Sequence, residues 1–137
     1  MVPNIPNESQ ELDQLNAARQ QLLDAGAEQL PRFPWQPSGV KPDDVSLLRF
    51  AMWQANSSVG EASHNDIRAA LRLVESARAD LDGLESGLML IARAEGLTWP
   101  DIAEQLGVKS PQAAQQRFQR VATRAQHDED RGTRGDD

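Results

Sequence analysis

At 137 residues, 39% of them hydrophobic, the chain is long enough for one compact core and too short for two large domains. It contains no cysteine, which excludes disulfides, thiolate chemistry and cysteine-ligated zinc. The formal net charge of −7 argues, taken as an average, against a nucleic-acid partner.

The charge is distributed unevenly along the chain. Residues 1–96 carry eight basic and fourteen acidic side chains, and the last ten residues are again acidic. Residues 97–127 carry four basic and two acidic side chains and form the only basic segment. A basic module on an acidic scaffold is the charge pattern of a DNA-binding protein.

Localisation is predicted from the absence of export and membrane signals. The N-terminus shows no basic segment followed by an apolar one, and the longest uninterrupted apolar run is Leu88–Ala92. We therefore expect no membrane partner and a cytoplasmic, nucleoid-associated protein.

Helical periodicity dominates, since tyrosine is absent and no stretch alternates cleanly between apolar and polar residues. The predicted fold is all-α, a helical bundle with a C-terminal helix-turn-helix. The predicted divisions are a disordered N-terminus (1–9), an N-terminal helical region (10–80), the DNA-binding module (81–126) and a disordered acidic tail (127–137).

The first predicted helix runs from Glu8 to Leu30, and its apolar stripe consists of Leu12, Leu15, Leu22 and Leu23. A second helix is predicted to begin near Pro42. Its apolar face is expected to contain Val45, Leu48, Met52 and Ala55.

The intervening segment Pro31–Pro37 (PRFPWQP) has prolines at every third residue and cannot be helical. It could present a polyproline surface to a partner, or it could cross the bundle and bury Phe33 and Trp35. The second interpretation is favoured because large aromatic side chains are usually buried.

Eight apolar residues repeat with alternating spacings of three and four, the pattern of a heptad seam. They are Ile67, Ala70, Val74, Ala77, Leu81, Leu84, Leu88 and Ile91. Asp82 and Gly83 are a predicted interruption. The seam is interpreted first as the core contact of the bundle. The alternative is a homodimer interface, for which the leucine stripe Leu12–Leu23 is the second candidate surface.

Residues 97–123 have the local signals of two capped helices joined by a short turn. Thr98 is a predicted N-cap with Pro100 and Asp101 in the first turn, and Gly107 is a predicted C-terminal stop. Ser110 caps a second helix that has Pro111 at its first position. This is the arrangement that a helix-turn-helix requires.

The second of these helices has two different faces at about 100° per residue. Ala114, Phe118, Val121 and Ala125 are expected to face the core, with Phe118 packed against Ile102, Leu106 and Leu88. Glutamine can bond adenine, and arginine or lysine can bond guanine or phosphate. The predicted DNA contacts are Lys109, Ser110, Gln112, Gln115, Gln116, Arg117, Gln119, Arg120 and Arg124.

The segment TWPDIAEQLGVKSPQAAQQRF resembles a helix-turn-helix found in actinobacterial DNA-binding proteins, and it is more distantly similar to sigma-factor region 4 and to LuxR-type regulators. Lys109 departs from that pattern, which usually has serine there. The resemblance covers about residues 81–124. It implies DNA binding, with Gln112, Gln116 and Arg117 as contacts.

Enzymatic signals are weak. His64 and His127 belong to no paired metal-binding motif, and the sequence has no nucleophile elbow or phosphate-binding glycine loop. We expect no catalytic residue, metal or cofactor. The predicted function is sequence-specific or architectural binding of double-stranded DNA, as a transcriptional regulator that inserts the helix Ser110–Arg124 into the major groove. The alternative is an adaptor that docks on RNA polymerase, a sigma factor or another regulator.

Overall fold

The computed structural model describes residues 7–133, with side chains described for residues 7–124. Within this range the chain is helical and has no β-strand, which confirms the all-α prediction. The helices are α1 (Glu8–Asp24), α2 (Asp44–Ser57), α3 (His64–Arg72), α4 (Val74–Ala94), α5 (Trp99–Leu106) and α6 (Pro111–Thr133), with a 3-10 turn at Ala27–Gln29. None of these helices combines the length and apolar character needed to span a bilayer.

The described residues divide into two compact units, residues 7–77 and residues 78–133. The boundary lies within α4, so the first turn of this helix belongs to the first unit and the rest to the second.

The core of the first unit is built by α1, α2, α3 and the 3-10 turn. Its buried residues are Ala18, Leu22, Leu23, Ala27, Leu47, Phe50, Ala69 and Leu73. Asn7 caps α1 by accepting a hydrogen bond from the Gln10 amide at 2.8 Å. The predicted end at Leu30 was wrong. The helix stops at Asp24 because Gly26 turns the backbone at a φ of 133°.

The buried face of α2 differs from the predicted one. Leu47 and Phe50 are buried, whereas Met52 is 63% exposed. Asp44 is also buried on this face, where its carboxylate accepts hydrogen bonds from Arg19 Nε at 2.8 Å and Nη2 at 2.9 Å. Ser76 Oγ donates to the same carboxylate at 2.5 Å. This cluster of polar groups fixes the rotation of α2 and anchors the first turn of α4.

The proline segment also departs from expectation. Phe33 and Trp35 stack on each other at 4.8 Å between ring centroids, and Trp35 is 72% exposed. The prediction that both aromatic side chains would be buried was wrong, because they pack mainly on each other.

The heptad seam is divided between two helices and two environments. The chain breaks at Leu73, between α3 and α4, and not at the predicted Asp82–Gly83, which lies inside α4. Ala77 is buried in the first unit, but the seam residues from Leu81 to Ile91 are each 52–67% exposed. The interpretation of the whole seam as a bundle core is therefore wrong for its second half.

Both ends of the described range are helical. α6 extends to Thr133 and so enters the segment predicted to be disordered. Of the predicted disordered N-terminus, residues 1–6 lie outside the described residues, and α1 begins at Glu8. Leu22 and Leu23 belong to the core of the first unit, which removes them from any dimer surface.

Candidate nucleic-acid interface

A small apolar core holds α4, α5 and α6 together in the second unit. Met89, Ile102, Ala103 and Ala114 are buried in it, and Ala114 is fully inaccessible. The two alanines at the contact between α5 and α6 allow a close approach of the helix backbones. The position of α6 relative to α5 is therefore fixed by small side chains, which any larger residue would force apart.

α5 begins and ends as the sequence predicts. Thr98 and Asp101 form a reciprocal capping box, in which each side chain accepts a hydrogen bond from the other residue's amide at 3.3 Å. At the other end, Gly107 adopts a φ of 74°, and the Val108 amide donates to the Ala103 carbonyl at 3.0 Å. The turn that follows is short, because Ser110 Oγ accepts from the Ala113 amide at 3.1 Å and starts α6.

The inner face of α6 is largely the predicted one. Ala114 and Val121 are buried, and Phe118 is half-buried against the core. The Ala125 side chain lies outside the described residues. Leu88 does not pack on Phe118 as predicted, since it is 67% exposed and Met89 occupies the core instead. Phe118 lies 6.0 Å from Trp99, ring centroid to ring centroid, and Arg93 covers that tryptophan at 5.5 Å.

Up to Arg124, where the described side chains end, the outer face of α6 carries amide and cationic side chains and no acid. The exposed side chains in this part of the helix are Gln112, Gln115, Gln116, Gln119, Arg120, Thr123 and Arg124. Five residues at its middle, from Gln116 to Arg124, line a shallow open depression. Lys109 is exposed in the turn before the helix, and Ser110 is half-buried at its N-cap.

Two of the predicted contact arginines have partners within the second unit. Arg117 donates to Glu85 on α4, and Arg124 Nη1 donates to Asp82 Oδ2 at 3.0 Å. The Glu85 and Asp82 side chains are only 19% and 17% exposed, so both acids lie beside α6. Within residues 7–124, Arg120 and Lys109 have no acidic partner.

Glu85 and Asp82 are the residues at this surface that the sequence reasoning missed. They lie three residues apart, so they share one side of α4. The arginines at 117 and 124 share one side of α6 in the same way, since seven residues make about two turns. Two acids on one side of α4 and two arginines on one side of α6 were the sequence signal that could have predicted these ion pairs.

Other chemistry finds no support among the described residues. No three potential metal ligands lie together in that part of the chain. His64 is exposed at the start of α3, and His127 lies beyond the described side chains. Comparisons with protein-family models, with curated proteins and with solved structures give no match for this chain.

Proposed function

We propose that α5 and α6 form a helix-turn-helix and that the protein binds double-stranded DNA, as a regulator of transcription, by inserting α6 into the major groove. The observation that carries this proposal is the outer face of α6. Between Pro111 and Arg124 it presents four glutamines and Arg120 on an exposed helix surface that has no acid, in a chain whose net charge is −7.

The side chains on this face suit the groove chemically. Glutamine can accept from and donate to the edge of adenine at the same time, and arginine can bond two acceptors of guanine. Gln112, Gln116 and Gln119 lie within about 60° of each other on the helix, so they could contact successive bases. The capped N-terminus of α6 and the neighbouring Lys109 would bind the phosphate backbone, because the helix dipole and the lysine are both positive there.

The ion pairs divide the basic residues into two groups. Arg120 and Lys109 can reach a phosphate or base without losing a protein partner. Arg117 and Arg124 would have to exchange a carboxylate for DNA, which offsets part of the energy gained. In this proposal Arg120 and Lys109 are the principal cationic contacts, while Arg117 and Arg124 also orient α6 on α4.

The role proposed is binding alone, in the cytoplasm at the nucleoid, without catalysis and without a cofactor. Transcription is the process that a small sequence-reading protein of this kind would regulate.

The test measures the affinity of the purified chain for a short random duplex by fluorescence anisotropy at several salt concentrations. About three phosphate contacts per chain predict a slope of about −3 in log affinity against log salt concentration. Selection from a randomised duplex pool should then enrich a defined sequence. Absence of binding even at low salt would overturn the proposal and favour the adaptor that docks on RNA polymerase or a sigma factor.

A further inference from the structure

An ordinary core helix buries its apolar side and exposes its polar side. In the second unit, α4 does the reverse. Toward α5 and α6, the helix presents Asp82, Glu85 and Ser86 together with Met89 and Ala92. On the other side, Leu81, Leu84, Leu88 and Ile91 are 52%, 64%, 67% and 60% exposed. The most apolar side of the helix is thus the one that its own unit leaves uncovered.

This exposed side is free of charge over most of its length. Between residues 83 and 94, the positions that share a side with Leu84, Leu88 and Ile91 are glycine or alanine, whereas the exposed Arg93 lies toward Trp99. Covering this surface would therefore not require the burial of an unpaired charge, which is the usual cost of bringing two protein surfaces together. We call the surface formed by Leu81, Leu84, Leu88 and Ile91 the leucine face.

We infer that the leucine face is a homodimer interface, in which α4 packs antiparallel against α4 of a second copy of the chain. A two-fold symmetric contact needs a surface that is complementary to itself. The four seam residues Leu81, Leu84, Leu88 and Ile91 are spaced by three, four and three residues, so the spacing is the same in both directions along the helix. An axis between Leu84 and Leu88 places each of them against the other in the second copy, and it places Leu81 against Ile91.

An antiparallel pair is favoured over a parallel one because the dipoles of the two α4 helices then point in opposite directions. Gly87 lies next to the centre of the contact with open space around it, which allows the two backbones to approach closely.

The size of the leucine face is sufficient for a specific interface of modest strength. Its four side chains expose on the order of 400 Å², within the range of the largest apolar patch on a monomeric protein. Two such faces, together with the small residues around them, would bury up to about 1,000 Å² in total, close to the smallest area found in specific complexes. We therefore expect a dissociation constant in the micromolar range. α6 contacts the other side of α4, so this dimer leaves the outer face of α6 open.

The first experiment measures the mass of the full chain by light scattering without DNA, so its result does not depend on the proposed function. Between about 1 and 100 µM we expect the mass to rise to twice the 15.1 kDa of one chain. The variant Leu84→Glu/Leu88→Glu should stay monomeric, with a dissociation constant raised by at least about 100-fold. The matched control is Met52→Glu/Leu71→Glu, which changes two equally exposed apolar residues outside α4 and should still dimerise.

A second experiment tests the orientation, using the absence of cysteine from the chain. Leu81→Cys and Ile91→Cys are mixed, oxidised and separated on a non-reducing gel with one partner size-tagged. The antiparallel dimer predicts that the mixed disulfide predominates over both disulfides between like chains, whereas a parallel dimer would reverse this and overturn the orientation. A monomeric mass for the native chain at every concentration, or a dimer lost in the control but kept in the α4 variant, would overturn the interface itself.

Discussion

Arg117 of α6 donates to Glu85 of α4, and it does so from the edge of the surface that we propose for DNA binding. The pair joins the two helices on the side where α4 is polar. About two turns further along α6, Arg124 makes the equivalent contact with Asp82. These two ion pairs explain how α4 can use a polar side for contact with α6 while its apolar side faces outward.

The first prediction concerns Arg120. Because this arginine is exposed and has no acidic partner within residues 7–124, we expect Arg120→Ala to weaken DNA binding by about 1–3 kcal/mol without lowering stability. Binding is measured by anisotropy and stability by thermal unfolding. Arg49→Ala removes the same charge from an exposed position on α2 and serves as the control. Equal losses in both variants would show that the contact depends only on net charge and not on the face of α6.

The second prediction separates the two roles of Arg117. Removing Glu85 by Glu85→Gln should increase DNA affinity, because Arg117 is released and a negative charge near the phosphates is lost. The same change should lower the free energy of unfolding by about 0.5–1 kcal/mol, since the pair is partly exposed. Arg117→Gln should also lower stability but should weaken DNA binding. If both variants change affinity in the same direction, Arg117 does not act as described.

Local signals allowed most of the second unit to be predicted from the sequence. The N-cap of α5, the glycine at its end and the serine cap of α6 all depend on residues within four positions of each other. For that reason Thr98, Asp101, Gly107 and Ser110 have the expected roles.

Which side of each helix is buried could not be predicted from such local signals. Apolar residues surround α2 on nearly every side, and the choice of Leu47 and Phe50 depends on the ion pair of Asp44 with Arg19, 25 residues away. In α4 the regular heptad pattern predicts that Leu88 is a core residue, but Met89 occupies the core instead. Contacts with α5 and α6 determine that Met89 is buried and Leu88 is not. The apolar spacing within α4 contains no information about these contacts.

The third prediction tests the close approach of α5 and α6. Ala114 is fully buried beside Ile102 and Ala103, so Ala114→Leu should destabilise the second unit by about 1–3 kcal/mol through overpacking. Stability is measured by urea unfolding in a background where phenylalanine replaces Trp35 and Trp53. The fluorescence of Trp99 then reports on the second unit alone. Gln115→Leu, at the neighbouring exposed position, is the control and should change stability by less than about 0.5 kcal/mol. A well-tolerated leucine at position 114 would mean that the two helices do not approach as described.

The last prediction concerns the buried charge of the first unit. Asp44 is 5% exposed and accepts from two nitrogens of Arg19 and from Ser76 Oγ. Removing only one partner leaves the other without compensation in a poorly solvated place. We therefore expect Arg19→Met to cost about 3 kcal/mol of stability, and Asp44→Leu a similar amount. The double variant Arg19→Met/Asp44→Leu should recover much of this loss, because two apolar side chains can pack where the pair was.

This cycle is measured by urea unfolding in a Trp99→Phe background, so that Trp35 and Trp53, both in the first unit, supply all of the fluorescence. The coupling between the two positions should reach about 2 kcal/mol or more, because contacting charges are strongly non-additive. Ser76→Ala tests the third residue of the Asp44 cluster. This change should lower the free energy of unfolding by only about 1 kcal/mol, because Asp44 keeps both hydrogen bonds to Arg19. Additive losses in the double variant would show that Arg19 and Asp44 stabilise the unit separately, and that the rotation of α2 is fixed by Leu47 and Phe50 alone.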